Sequence, residues 1–328
     1  MSAPTAGIPS AVEIRPQKRV VAVSDQATVP ETPPEDWRES SEGGLAWLTI
    51  PAWAERGAVA AFTTRVGGSS QGHLGELNLS FAVGDDPAAV RDNRRRALAA
   101  IGYGLADLVT AGQVHGDSVA PVGRAQAGVG VAEPGCSVAS TDALVTAERG
   151  VVLSVGCADC VPVYLFDPRR QVIGLAHAGW RGTVAGVAAK TVKAMAEGFG
   201  SRAEDLMAAI GPSIGPCCYE VDRAVIDPLK ASVPYWRDLI RPGRDGSHWH
   251  LDLWAANARQ LMDAGIPRAK ILVAGLCTSC HSERFFSHRA SGGRAGRQMA
   301  LLVLDRTGPR RSEKESAADP THQLSPAR

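Results

Sequence analysis

The chain has 328 residues, 45% of them hydrophobic and 21% charged, a balance that supplies ample material for the core of a soluble globular protein. With 35 Lys+Arg against 34 Asp+Glu the net charge is +1, so bulk electrostatics recruit neither nucleic acid nor an anionic membrane surface. The longest apolar run, Val151 to Phe166, is broken by Asp159 and falls short of the roughly 18 to 20 uncharged residues of a membrane span.

Residues 1–42 scatter prolines among Ser, Thr, Ala and charged side chains without hydrophobic periodicity, and residues 306–328 are similarly polar. Both ends are predicted to be disordered, because neither holds enough apolar surface to offset the entropy of ordering. The N-terminus has no basic segment followed by an apolar stretch, and a cytoplasmic protein is expected. Its seven cysteines, Cys136, Cys157, Cys160, Cys217, Cys218, Cys277 and Cys280, are then thiols, metal ligands or nucleophiles before they are disulfides. At roughly 150 residues per domain the length suggests two domains. The body at 43–305 is nevertheless within reach of one, and it carries no internal repeat.

Inside the body, GAVAAFTTR is the first β-like run, and a helix is expected from Asp86 to Ile101. In AGQVHGDSV, Gln113 and His115 are two apart and would share one face of a strand. DALVTAERGVVLSVG, VPVYLFD and QVIGLAHAG continue the β pattern. TVAGVAAKTVKAMAEGFG reads as one helix, with Val184, Ala188, Val192, Met195 and Phe199 on one face and Gly200 as its stop. A last helix is expected from Leu253 to Ala264, closed by a glycine. The sum is an α/β (α+β) protein with a largely buried sheet. Neither GxGxxG after a strand nor the P-loop pattern occurs, so the two commonest phosphate loops are missing.

Three segments place metal-competent side chains at strand ends beside glycines: His115 in QVHG, Cys157, Asp159 and Cys160 in VGCADC, and His177 in AHAGWRG. Two histidines and one cysteine make a three-ligand set, which for zinc leaves a fourth position open to water or substrate, a catalytic arrangement. Taken singly, each histidine is more often a surface or hydrogen-bonded core residue, and their spacing fits no local zinc motif. The same residues also suit a nucleophilic Cys160 with His115 or His177 as its base. After His177, Gly179 to Gly182 open the expected helix, where free N–H groups favour an anion and Arg181 adds a fixed charge. The bland alternative is a packed Trp180 and a surface ion pair at Arg181.

Other cysteine and histidine chemistries fit less well. The pairs Cys157/Cys160 and Cys277/Cys280 are much further apart than the roughly 15 to 20 residues between the halves of a zinc ribbon. A thioredoxin-like CxxC would open a helix, whereas a β-branched run with Pro162 follows Cys160. The PCxxC of the cytidine-type zinc deaminases is missing. Eight histidines with a single HxH, His248 and His250, are too few for a blue-copper multicopper oxidase.

The strings FTTRVGGSSQG, LNLS, QVHGDSV, TDALVT, ADCVPV, AHAGWRGTVAG, IGPSIGPCCYEV, LDLWAANARQL and FFSHRASGGRAGRQMALLVL together resemble the laccase-domain family. Its members are also called polyphenol oxidase-like proteins or peptidoglycan editing factors, and several are purine nucleoside phosphorylases. The resemblance runs from about Phe62 to Leu304. It implies a single layered α/β/β/α domain related to a bacterial toxin deamidase. It also implies zinc on His115, Cys160 and His177, with Cys157 a bystander, although the donor set also accepts copper. The implied activity is phosphorolysis of adenosine, inosine, guanosine and methylthioadenosine, with adenosine deamination as a side activity. Purine nucleosides and phosphate would be the small-molecule partners.

Arg65 resembles the family's pocket arginine, Asn78 and Gln113 match polar pocket positions, and His288 and Arg289 would line the pocket. Arg65 and Arg181 would then neutralise the phosphate, with Asp159 either handling a proton or serving as a buried turn carboxylate. Arg297 and Gln298 would tie the last strand to the body, and Cys277 would be structural or pocket-lining rather than part of a second metal site. Copper-dependent polyphenol oxidation and a cysteine hydrolase acting on amide bonds of cell-wall precursors are the alternatives implied by the other family names.

Overall fold

The computed structural model describes residues 36–309. Of the two ends expected to be disordered, residues 1–35 and 310–328 lie outside the described residues. Residues 36–42 depart from expectation, because Arg38–Glu42 forms a strand paired with Leu45–Thr49 and Trp37 is buried. The folded body therefore begins before residue 43, where the polar sequence gave no sign of the hairpin.

In chain order the strands are β1 (Arg38–Glu42), β2 (Leu45–Thr49), β3 (Ala58–Thr63), β4 (Leu108–Thr110), β5 (Val119–Pro121), β6 (Ala143–Thr146), β7 (Val152–Cys157), β8 (Val161–Asp167), β9 (Val172–Ala178), β10 (Met207–Ile210), β11 (Glu220–Val221), β12 (Ile240–Pro242), β13 (Trp249–Leu251), β14 (Ile271–Val273) and β15 (Gln298–Leu304). The helices are α1 (Pro51–Ala54), α2 (Pro87–Ala99), α3 (Trp180–Ala185), α4 (Val187–Phe199), α5 (Arg223–Ser232) and α6 (Leu253–Asp263). One six-stranded sheet runs β1-β2-β3-β15-β7-β4 and a second runs β14-β10-β8-β9-β6-β5.

The two sheets stack face to face, and side-chain alternation along the strands divides the core. Phe62, Leu153, Val155, Tyr164, Phe166, Leu175, Ala300 and Leu302 fill the space between the sheets. Each large apolar side chain buried there contributes about 1.5–3 kcal/mol of transfer free energy. Alternate residues of the second sheet, Val161, Val163 and Leu165, pack instead against Val192 and Met195 of α4 and Leu261 of α6. On the far side Leu301 and Val303 of β15 meet Ala97 and Leu98 of α2. The result is the layered α/β/β/α order implied by the resemblance. Among the described residues no helix is long and apolar enough to cross a membrane.

One expected element is divided. The run after His177 forms α3 and α4 rather than a single helix, because Gly186 takes a left-handed conformation at φ +79° between them. Gly200 ends α4 as expected, at φ +67°.

Candidate metal centre and cleft

His115, Cys160 and His177 arrive from three chain segments that the stacked sheets bring to one place. The loop after β4 carries His115, the three-residue turn between β7 and β8 carries Cys160, and His177 is the penultimate residue of β9. One donor atom from each lies within 4.8 Å of the others, and the two imidazoles meet edge to face with ring centres 5.0 Å apart. Gln113 and His115 do not share a strand face, because β4 stops at Thr110 and His115 turns left-handed at φ +60°.

That turn wraps around Asp142, a fully buried carboxylate that sequence reasoning did not single out. Asp142 Oδ1 accepts the backbone N–H of His115 at 3.0 Å, and Oδ2 accepts those of Val114 and Gly116 at 3.1 and 2.8 Å. Three successive amides cradling one anion form a nest. Oδ1 also meets His177 Nδ1 at 2.9 Å, which turns Nε2 toward Cys160. Burial works against the charge of Asp142, but the His177 ring and the amides of Gly116 and Val114 hold its carboxyl below the usual range. The signal available in the sequence was its place in TDALVT, immediately before β6.

The three donors sit in a shared field. Burial opposes a thiolate at Cys160, but the facing charge of His177 and hydrogen bonds from His115 and His177 bring the thiol down to about 6. Burial likewise opposes a charged His177, while the Cys160 thiolate and the Asp142 carboxylate raise the imidazole to about 9. Cys157 behaves oppositely: buried between the sheets, its thiol is pushed well up by desolvation. Cys277 and Cys280 gather with Cys217 and Cys218 rather than with Cys157 and Cys160, so the four-cysteine site of the two CxxC pairs is not formed.

The cluster lines a cleft of about 860 Å³, within the usual range for small-ligand sites. Arg181, His288, Arg289 and Arg297 share its wall, together with the aromatic rings of Trp180 and Tyr219. Arg181 is exposed on the first turn of α3, its guanidinium 4.3 Å from the Trp180 ring centre. Because α3 has only six residues, the fixed charge of Arg181 outweighs any helix dipole as an anion attractor. Arg297 is half-buried with its pKa lowered by desolvation, against the pull of Cys160, Cys157 and Asp159. Arg94 of α2, unnoticed in the sequence, also reaches the wall: it is buried against Leu79 and Val131 carbonyls and lowered to about 10 by burial.

Other expected pocket residues act through their neighbours. Arg65 stands outside the cleft wall, donating to the carbonyls of Gly75 and Ser282 and stacking on Phe286. Its guanidinium ties the Gly75 and Ser282 loops together. Asn78 is also outside the wall and fully buried, where its Oδ1 accepts the backbone N–H of Arg297 at 2.9 Å. Gln113 lines the cleft, but its side-chain amide is used in two hydrogen bonds with the backbone of Gly156 at 2.7 and 2.9 Å.

Asp159 sits left-handed at φ +87°, a strained conformation for a non-glycine residue. Its two carboxylate oxygens accept from Thr278 Oγ1 and from the Arg289 backbone N–H, both at 2.7 Å. The hydrogen-bonded turn reading is the one these contacts describe. Gln298 ties β15 to the body as expected, exchanging two hydrogen bonds with the backbone of Phe286 at 2.8 and 3.0 Å.

Fold and site together define a layered α/β protein with a His–Cys–His candidate metal centre in an arginine-lined cleft. The chain matches the family model described as multi-copper polyphenol oxidoreductase laccase over residues 59–305, and it belongs to that family. It is 40% identical to a protein of Geobacillus stearothermophilus named purine nucleoside phosphorylase YlmD, over 82% of this chain and 97% of that one. It is 35% identical to a prokaryotic protein named adenosine deaminase RL5, over 74% of this chain and 92% of that one. The crystal structure of YlmD from Geobacillus stearothermophilus superposes with a TM-score of 0.78 at 39% identity, covering 83% of this chain and all of that one.

Proposed function

We propose that this chain is a metal-dependent purine nucleoside phosphorylase of the cytoplasm, with zinc as its resident ion and adenosine deamination as a second activity. The observation that carries the reading is the convergence of His115, Cys160 and His177 in a cleft whose wall also holds Arg181, Arg289 and Arg297. Two imidazoles and a thiolate suit zinc, and the hydrogen bond of His177 to Asp142 supplies the orienting partner that metal-binding histidines usually have. The names of the relatives, a purine nucleoside phosphorylase and an adenosine deaminase, support the substrate class.

When bound, zinc supplies a Lewis-acidic charge that polarises an oxygen of phosphate or water. Everything else falls to the chain. Arg181 offers a permanently charged guanidinium to phosphate, and the rings of Trp180 and Tyr219 offer flat faces to a purine. Asp142 holds both imidazoles in place, one through its ring and one through its backbone. In the reaction a phosphate oxygen bonds to the ribose anomeric carbon as the bond from that carbon to the purine nitrogen breaks. The base leaves with the proton that the attacking hydrogen phosphate gives up.

The line Asp142–His177–Cys160 also has the order of a base-activated thiol, which supports a cysteine hydrolase as the second reading. A single base suffices for that chemistry, whereas His115 faces the same sulfur as a third donor. Metal-analysed protein incubated with inosine, with and without phosphate, separates the two. Phosphate-dependent release of hypoxanthine, lost on chelation and regained with zinc, is expected. Inertness of the zinc-loaded protein toward inosine and adenosine would sink the phosphorylase reading. Loss of the metal donor in Cys160→Ala should abolish both zinc binding at this site and phosphorolysis. The same metal analysis decides between zinc and copper.

A further inference from the structure

Cys217, Cys218, Cys277 and Cys280 lie outside the centre described above, yet the fold gathers them as closely. Their four sulfur atoms all lie within 4.8 Å of one another, with Cys280 Sγ 3.5 Å from Cys217 Sγ and 3.4 Å from Cys218 Sγ. All four are free thiols. Two come from the adjacent cysteines after β10 and two from the CxxC after β14. A parallel bridge between Ser213 and Cys277 fastens these two segments together.

From these positions we propose that the four cysteines hold a second, structural zinc ion in a tetrathiolate site. Tetrahedral zinc with bonds of about 2.3 Å sets its sulfurs roughly 3.8 Å apart, close to the spacing seen here. An iron–sulfur cluster interposes its own sulfides between the thiolates and needs a wider cage. Cys277 is fully buried and accepts hydrogen bonds from the backbone N–H groups of Gly215, Ser279 and Cys280. Amides aimed at a buried sulfur stabilise a thiolate, the form a metal binds. Four protein donors close the coordination sphere and leave no position for substrate, so the role is structural.

The placement gives that role a target. Thr278, between the two cysteines of the CxxC, donates to Asp159 beside Cys160, and the carbonyl of Cys218 accepts from the Arg289 guanidinium. The ion would thus brace two segments of the cleft wall, one carrying Ile214 and Tyr219 and the other running on to His288 and Arg289. The spacing misled sequence reasoning because each half looks like an incomplete motif. The adjacent cysteines and the CxxC are brought together by β10 and β14, which pair in parallel.

The test uses the full chain carrying Cys160→Ala, which removes a donor from the first centre and leaves the four cysteines intact. Titration of the metal-free protein with Co²⁺ under reducing conditions should give the intense thiolate-to-cobalt charge-transfer band of a tetrathiolate at one ion per chain. Adding Cys218→Ser and Cys280→Ser should abolish that band. Titrating thiols of the zinc-loaded Cys160→Ala protein with a mercurial should release one zinc as the four cysteines react. Absence of the charge-transfer band in Cys160→Ala, or its persistence in the triple variant, overturns the proposal. So does a disulfide among these four residues in freshly isolated protein. If the triple variant does not fold, the cobalt spectrum and zinc release of Cys160→Ala decide alone.

Discussion

Asp142 Oδ1 accepts from His177 Nδ1 at 2.9 Å and from the backbone N–H of His115 at 3.0 Å, so a single oxygen orients both histidines of the candidate centre. Asp142→Asn keeps the size of the side chain but loses the charge, and either its NH₂ group faces N–H donors or its oxygen serves fewer of them. Zinc affinity at this centre should fall about 10- to 100-fold, and stability by about 1–3 kcal/mol. Competitive zinc titration and denaturant unfolding measure the two effects. Unchanged affinity would remove Asp142 from the centre.

Gly179 gives a second, more local probe. A Cβ at this position would meet Cys160 Sγ at 3.0 Å and His115 Cδ2 at 3.2 Å. Its backbone, φ −65° and ψ 173°, is open to any residue. Gly179→Ala should therefore weaken metal binding while leaving the melting temperature of the metal-free protein within a few degrees of the parent. Wild-type affinity in the variant would show that the donors have more room than the geometry allows.

Phosphate recognition is tested at Arg181. If its guanidinium makes charge-assisted hydrogen bonds to phosphate, Arg181→Ala should raise KM for phosphate about 10- to 100-fold and leave KM for inosine close to the parent value. Steady-state kinetics with each substrate varied in turn read the split. Equal changes in both constants would point to a distorted cleft instead of a lost phosphate contact.

A pH-dependent prediction rests on Asp252, which caps α6 by accepting from the Ala255 N–H at 2.9 Å. Burial pushes its carboxyl up, against the opposing amides of Ala255 and Trp254 and the charge of Arg241. The folded chain thus binds this proton more tightly than the unfolded chain. The associated stabilisation is fully present below the ordinary carboxylate range and is lost as pH rises through the raised value. Asp252→Asn keeps a capping oxygen without the buried charge, so the variant should be the more stable at pH 7. Its advantage should vanish near about pH 3, where both side chains are neutral. Urea unfolding at the two pH values checks the sign.

Local pattern alone carried much of the fold. The runs at 161–167 and 172–178 form strands buried along their whole length, because uninterrupted β-branched and apolar residues suit a sheet covered on both faces. Gly200 and Gly265 end helices by taking positive φ, a local property of residues without a Cβ. The metal-competent residues were legible too, since histidine and cysteine beside glycines at strand ends are uncommon and chemically distinctive.

What the sequence could not decide was which side chains meet. His115, Cys160 and His177 converge because strands of two stacked sheets end at one edge, a contact with no signature in spacing. Asp142 looked like any polar residue before a strand until the left-handed turn at His115 closed three amides around it. That the Arg65 guanidinium donates to the Gly75 and Ser282 carbonyls had no signature in the sequence either. The cysteines of the CC pair and the CxxC gained a common purpose only once β10 and β14 lay side by side. Sequence determines the supply of functional groups and the local path of the chain, because both are properties of a few neighbouring residues. Their meeting is decided by tertiary packing, because it depends on contacts between distant segments.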